Sequence, residues 1–133
     1  MNKRNYQREL EQLISNIEPG HVPSLLLHAC CAPCSSYCLE YLSQHFSITV
    51  LFYNPNISPA AEYQKRVDEI KRLISELPAE NKISLIEGRY LPEEFYTSVK
   101  GLENEPEGGK RCHVCYELRL HEAAVVAKEL GYD

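Results

Sequence analysis

Residues 25–38 read LLLHACCAPCSSYC, and the fold follows from how that stretch divides. Leu25, Leu26 and Leu27 form a short apolar run bounded by polar and small residues, the pattern of a buried strand. Behind it stand four of the six cysteines, Cys30, Cys31, Cys34 and Cys38. Pro33 and the following serines mark the start of a helix, with Ser35 or Ser36 expected as its cap and its end near Gln44. The order is strand, cysteine loop, helix. A thiolate at a helix N-terminus is stabilised by free amide donors and the positive end of the dipole, so its pKa falls toward the metal-binding, reactive form.

The other two cysteines, Cys112 and Cys115, lie about eighty residues further on as a C-x-x-C pair. Gly108-Gly109 precede them and a helical pattern follows, from Cys112 to Leu130, stopped by Gly131. An isolated cysteine is ordinarily a small buried hydrophobe. Cys38 is given that role, because Cys38, Tyr41 and Leu42 fall at i, i+3 and i+4 on one helix face. Adjacent Cys30 and Cys31, with Cys34 and a distant C-x-x-C, are not explained as core.

Working outward, Asn5 to Ile17 carries Leu10, Leu13, Ile14 and Ile17 at helical spacing, a covering helix ended by Glu18-Pro19-Gly20. Ser24–Ala29 is the first strand. The β-branched and aromatic run Ser47–Tyr53 is a second buried strand, broken by Asn54-Pro55-Asn56. Ser58 to Leu77 is a long helix with Ser58 as cap and Pro59 in its first turn. Val67, Ile70, Leu73, Ile74 and Leu77 make its inner face. Lys82–Glu87 is a third strand, Pro92–Lys100 a short helix and Gly101–Lys110 a loop rich in glycine and glutamate.

Strands alternating with helices at this spacing predict right-handed βαβ crossovers and a parallel, three-layer α/β sheet. Ligands of such sheets gather at the carboxyl ends of the strands, where strand order reverses. The Cys30–Cys34 and Asn54–Pro59 loops both belong at that edge. Residues 1–133 are read as one domain, 1–23 a covering segment and 24–133 the core. Because the chain stops at Gly131-Tyr132-Asp133, where another strand would begin, the core is expected to be incomplete and part of a longer protein.

Hydrophobic residues make up 44% and charged residues 25%, the balance of an ordinary soluble protein. The polar first segment has no signal-peptide pattern, and no run is long enough to cross a bilayer. A cytoplasmic, membrane-free protein is expected. In that reducing compartment clustered cysteines point to metal or redox chemistry rather than to a disulfide scaffold. The net charge of −5 does not favour a polyanion overall. Lys110, Arg111 and Arg119 nevertheless sit around the second cysteine pair.

Four to five thiolates at one sheet edge suit tetrahedral Zn²⁺ or an iron–sulfur cluster. Cys31-Ala32-Pro33-Cys34 alone also suits thiol–disulfide exchange. Spacing does not decide among a zinc-stabilised binding module, a metal-free oxidoreductase and an iron–sulfur enzyme. One ligand too many for a structural zinc knuckle, placed after a buried strand, favours a reactive centre. His28 is read as a core hydrogen-bonding residue, and His113 as pointing away from its neighbouring cysteines. No glycine-rich phosphate loop follows either of the first two strands.

Three segments, LLLHACCAPCSSY, FYNPNISPAAEYQKR and EPEGGKRCHVCYELRL, resemble the cobalamin-independent epoxyqueuosine reductases, the QueH family, in order and over Leu25 to Leu130. The resemblance implies a Rossmann-like fold akin to the adenine nucleotide alpha hydrolases, and reductive removal of the epoxide oxygen of epoxyqueuosine at the tRNA wobble position, giving queuosine. It implies a [4Fe-4S] cluster held by Cys30, Cys31, Cys112 and Cys115, with Cys34 a ligand of an additional iron. It also implies further strands beyond residue 133. The expected mechanism has iron polarise the epoxide C–O bond while the cluster passes electrons from an external donor. Tyr53 and Tyr63 are the candidate acids for the departing oxygen, and read equally as amphipathic packing. The tRNA would present its base from the anticodon loop, with Lys110, Arg111, Arg66 and Arg119 as candidate phosphate contacts.

Overall fold

The computed structural model describes residues 3–133. Three parallel strands, β1 (Ser24–His28), β2 (Ser47–Phe52) and β3 (Ile83–Glu87), lie in the order β1-β2-β3. Ser24 pairs with Ser47 and His28 with Leu51 on one side of β2, while Ile48 pairs with Ile83 and Phe52 with Glu87 on the other. The central strand is the most deeply buried, with Ile48, Val50, Leu51 and Phe52 almost solvent-free. A parallel strand covered on both faces reads as a continuous apolar run, as Ile48 to Phe52 does apart from Thr49. Among the described residues the strand order does not reverse. The expected edge therefore rests on the direction of the strands, not on a switch point.

Helix α2 (Ala32–Leu42) packs beside α3 (Ala60–Glu76), and α5 (Lys110–Leu130) lies against β1 and α4 (Pro92–Ser98). This is a Rossmann-like α/β arrangement of a parallel sheet between helices. Tyr63, Val67 and Ile70 of α3 are buried, with Leu73, Ile74 and Leu77 packed partly against the core, as their spacing requires. Helix α1 (Tyr6–Ser15) buries no residue fully. Leu10, Ile14 and Ile17 cover the core edge, and Asn5 Oδ1 caps the helix by accepting from the Arg8 amide at 3.0 Å.

Three helix starts differ from the sequence reading. Helix α2 begins at Ala32, with Cys31 as its N-cap and Pro33 in the first turn, where a missing N–H costs nothing. Ser35, expected as a cap, is buried and its hydroxyl donates back to the Cys31 carbonyl at 2.8 Å. Helix α3 starts at Ala60 with Pro59, not Ser58, as N-cap, and the Ser58–Pro59 peptide is cis. Helix α5 starts at Lys110, two residues early, and ends at Gly131, whose φ of +74° suits glycine.

Candidate metal centre

The loops leaving β1 and β2 are stitched together before any cysteine is reached. The Ala29 amide donates to the Leu51 carbonyl at 3.2 Å, one step beyond the end of β1. Asn54, fully buried, donates from Nδ2 to the Ala29 carbonyl at 2.9 Å. His28 Nε2 donates to the Tyr53 carbonyl at 2.8 Å, the core role expected for it, and burial pushes its pKa below the ordinary value, which keeps the ring neutral. Cys30 and Cys31 thus leave the sheet from a backbone held at successive residues.

Arg119 reaches the same place from α5. Its Nη1 approaches Asn54 Oδ1 at 3.4 Å, its Nε approaches the Cys115 carbonyl at 3.4 Å, and its guanidinium lies 5.4 Å from the Tyr116 ring centre. Its charge acts on both sulfur-bearing segments. Burial raises the Cys30 thiol pKa and neighbouring Cys31 raises it further, with Arg119 opposing both. Burial likewise raises Cys115, again against Arg119, and Cys112 and Cys30 both repel its thiolate. Cys30 and Cys115, distant along the chain, therefore sit within electrostatic reach of each other.

Cys31 and Cys34 divide one proton's work. A hydrogen bond from the Cys34 thiol, with help from the Cys34 amide and Arg66, lowers the Cys31 pKa against burial, while the same bond raises Cys34, which is exposed. A lowered thiol pKa at the helix cap beside a raised one in the first turn is the polarity expected of a C-x-x-C pair. On the other segment the Gly108 amide donates to Cys112 Sγ at 3.2 Å. Gly109, the N-cap of α5, holds that turn: a Cβ there would stand 2.9 Å from the Pro106 carbonyl oxygen, a backbone atom. Gly109→Ala is expected to displace the first turn of α5 and reduce metal retained on desalting several-fold, with helix content by circular dichroism unchanged.

Two cavities border the cysteines. One, of about 320 Å³, is lined by Cys30, Cys34, Cys38 and Arg119; the other, of about 360 Å³, by Cys112 and Cys115 together with Asn56 and the rings of α4. Among the described residues no three His, Cys, Asp or Glu side chains close into a ready-made cage for a single ion.

Other expected site residues lie elsewhere. Cys38 is exposed on α2 beside Cys34, not buried as its spacing with Tyr41 and Leu42 suggested. Tyr53 is fully buried, and burial together with the nearby Glu94 carboxylate pushes its pKa to about 12. Among the described residues its hydroxyl has no hydrogen-bond partner, and the Arg89 guanidinium lies 4.9 Å from its ring centre. Tyr63 is buried between Phe52 and Tyr90, stacked on the latter with centroids 3.8 Å apart. Neither tyrosine lines a cysteine cavity. Arg66 is paired with Glu62 at 3.0 Å. Sequence reasoning missed Asn54 as the buried link between the loops, although its place directly after β2, at the carboxyl edge, was a usable signal.

A parallel α/β sheet whose carboxyl edge gathers thiols from two remote segments around one arginine defines a thiol-centred Rossmann-like protein. The chain belongs to the family described as epoxyqueuosine reductase QueH, whose model matches residues 25–133. It is 47% identical over 134 residues to the epoxyqueuosine reductase QueH of Streptococcus pyogenes serotype M1, covering 98% of this chain and 52% of that protein. The protein of the same name from Staphylococcus epidermidis is 43% identical, over 98% of this chain and 57% of its own length. That from Acinetobacter baylyi is 39% identical over 86% and 51%. The chain spans about half the length of the curated relatives it matches. No described helix is long and apolar enough to cross a membrane.

Proposed function

We propose that this chain carries the metal centre of a cytoplasmic epoxyqueuosine reductase, which removes the epoxide oxygen of epoxyqueuosine at the wobble position of tRNA. The observation that supports the reading is Arg119, which approaches the Cys115 carbonyl and Asn54 Oδ1 at 3.4 Å each, while Asn54 is bonded to Ala29 beside Cys30, so that both cysteine segments come to one edge of the sheet. The relatives' shared name supplies the substrate.

The donor set fits an iron–sulfur cluster: soft thiolates on two segments, an amide donating to sulfur at Cys112, and a cation that offsets accumulated negative charge. Cys30, Cys31, Cys112 and Cys115 are assigned to the cluster, with Cys34 beside it for an additional iron. When bound, these metals supply electrons one at a time and an oxophilic Lewis acid. Reducing the epoxide to the alkene consumes two electrons, from an external donor, and two protons, and releases water.

The chain's own residues hold and orient. Asn54 fixes the Cys30 loop, and Arg119 balances the thiolates of both segments. The hydrogen bond from the Cys34 thiol favours the thiolate form of Cys31 over that of Cys34. Tyr53 and Tyr63, buried and away from the cavities, are assigned to packing rather than to proton donation. Lys110 and Arg111 at the start of α5 remain for the phosphates of the anticodon loop.

Anaerobic purification tests the reading. Iron with acid-labile sulfide, and loss of the epoxide from epoxyqueuosine-containing tRNA on adding a reductant, are expected. A colourless protein with stoichiometric zinc, or a metal-free dithiol cycling between Cys31 and Cys34, would replace it with a binding module or a thiol–disulfide exchanger.

A further inference from the structure

The 360 Å³ cavity beside Cys112 and Cys115 is at the lower end of the size range of small-molecule sites, about 300–1,000 Å³. Cys112 and Cys115 form one side of it, and the rest of its wall has other chemistry. Phe95 and the exposed Tyr96, rings tilted with centroids 5.6 Å apart, contribute a flat apolar side. Asn56 contributes a carboxamide whose Oδ1 is buried and has no donor anywhere among the described residues. A buried acceptor left unpaired costs free energy that a matching ligand N–H would recover. Glu103 adds a carboxylate held below the usual range by its own amide and that of Gly101, hence ionised at neutral pH. Arg111 stands at the same cavity, donating to the Glu103 carbonyl at 3.0 Å.

Two acceptors beside a stacking surface and a cation describe a nucleobase site, and they select among bases. Adenine offers a single amino group on its pairing edge, next to an acceptor. Guanine and its 7-deaza analogues offer two adjacent donors, the ring N1–H and the 2-amino group. We infer that this cavity binds the guanine-type base of the substrate nucleotide, with Asn56 and Glu103 accepting from its pairing edge and Tyr96 stacking on its face. The 7-substituent, borne on the other ring, is left to reach the cysteines. The identity of the base rests on the reductase reading, since epoxyqueuosine is a 7-deazaguanine nucleoside.

The test uses reduced protein and two labelled anticodon stem-loops that differ only in guanine or adenine at the wobble position, with binding followed by fluorescence anisotropy. The wild-type protein is expected to prefer guanine by about tenfold or more. Asn56→Ala, which breaks no hydrogen bond of the protein's own, is expected to erase about tenfold of that preference, and Asn56→Asp, which keeps an acceptor oxygen, to retain it. Tyr96→Ala is expected to weaken both RNAs alike, by about tenfold, because stacking is indifferent to base identity. A wild-type protein without the preference, or an Asn56→Ala protein that keeps it whole, overturns the inference. If the preference and its loss are seen but iron-loaded protein leaves epoxyqueuosine in tRNA unreduced, the cavity stands as a guanine site and the reductase reading falls.

Discussion

Cys112→Ala is expected to emerge from anaerobic purification with iron and acid-labile sulfide reduced by more than about tenfold, while its melting temperature stays near that of the wild-type apoprotein. The scale follows from metal sites generally, where losing even an outer partner of a ligand costs about 10- to 100-fold in affinity. Cys112 is half-buried in the first turn of α5, and its sulfur takes one hydrogen bond, from the Gly108 amide at 3.2 Å. The helix itself is held elsewhere, by its contacts with β1 and α4 and by the Arg89 guanidinium, which grips Glu122 of α5 at 2.7 Å and Glu94 of α4 at 2.8 Å. Truncating a half-exposed thiol therefore removes the proposed ligand without undoing the fold. Cys38→Ala is the matched control, since it deletes an exposed thiol one helical turn from Cys34 and should leave the metal content unchanged. A Cys112→Ala protein that retains a full complement of iron and sulfide would mean that the two segments do not share a centre.

The readable part of this molecule was what repeats or clusters along the chain. Ile48 to Phe52 declared itself as a buried strand because a parallel strand covered on both faces has few positions for polar side chains, while Leu25 to Leu27, equally apolar, form a strand that is only half-buried at the end of the sheet order. The inner face of α3 followed from 3.6-residue spacing, and the cysteines were conspicuous because adjacent thiols have little use in a core. What stayed hidden depends on contacts between residues far apart in sequence. Arg119 read as one of several surface cations, yet it lies 65 positions from the Asn54 side chain it approaches and balances thiols of both segments. Arg66, named with it as a phosphate contact, pairs with Glu62 one turn away on α3, a contact that helical spacing alone made legible. Tyr53 and Tyr63 looked available because aromatic hydroxyls near a loop often are. Tyr53 is wholly buried directly after β2, and Tyr63 fills the seam between Phe52 and Tyr90. Cys38 shows the reverse error: helical spacing placed it correctly on a face with its neighbours, but spacing cannot say whether anything covers that face.

Asn54→Leu is expected to destabilise the protein by about 2 kcal/mol, lowering the melting temperature by roughly 8 °C, and to loosen the centre at the same time. Leucine keeps the branched heavy-atom skeleton of asparagine but is larger, so a small overpacking cost adds to the lost polarity. Asn54 is fully buried; its Nδ2 satisfies the Ala29 carbonyl at 2.9 Å and its Oδ1 faces Arg119 at 3.4 Å. Leucine leaves that carbonyl in an apolar setting without a donor, and a buried group stripped of its partner bears its full desolvation cost. Arg119 loses the oxygen that draws it inward and can swing toward water. Its charge then no longer opposes burial at Cys30 and Cys115, so both thiols are held more firmly in the protonated form that binds metal poorly. Stability and metal content should therefore fall together in Asn54→Leu. Arg119→Gln should lower metal content with a smaller loss of stability, because the Asn54–Ala29 bond survives. Differential scanning fluorimetry and iron analysis on the three proteins separate the two contributions. An Asn54→Leu protein that melts within about 1 °C of wild type would show that the loops after β1 and β2 are held by the strand ladder alone.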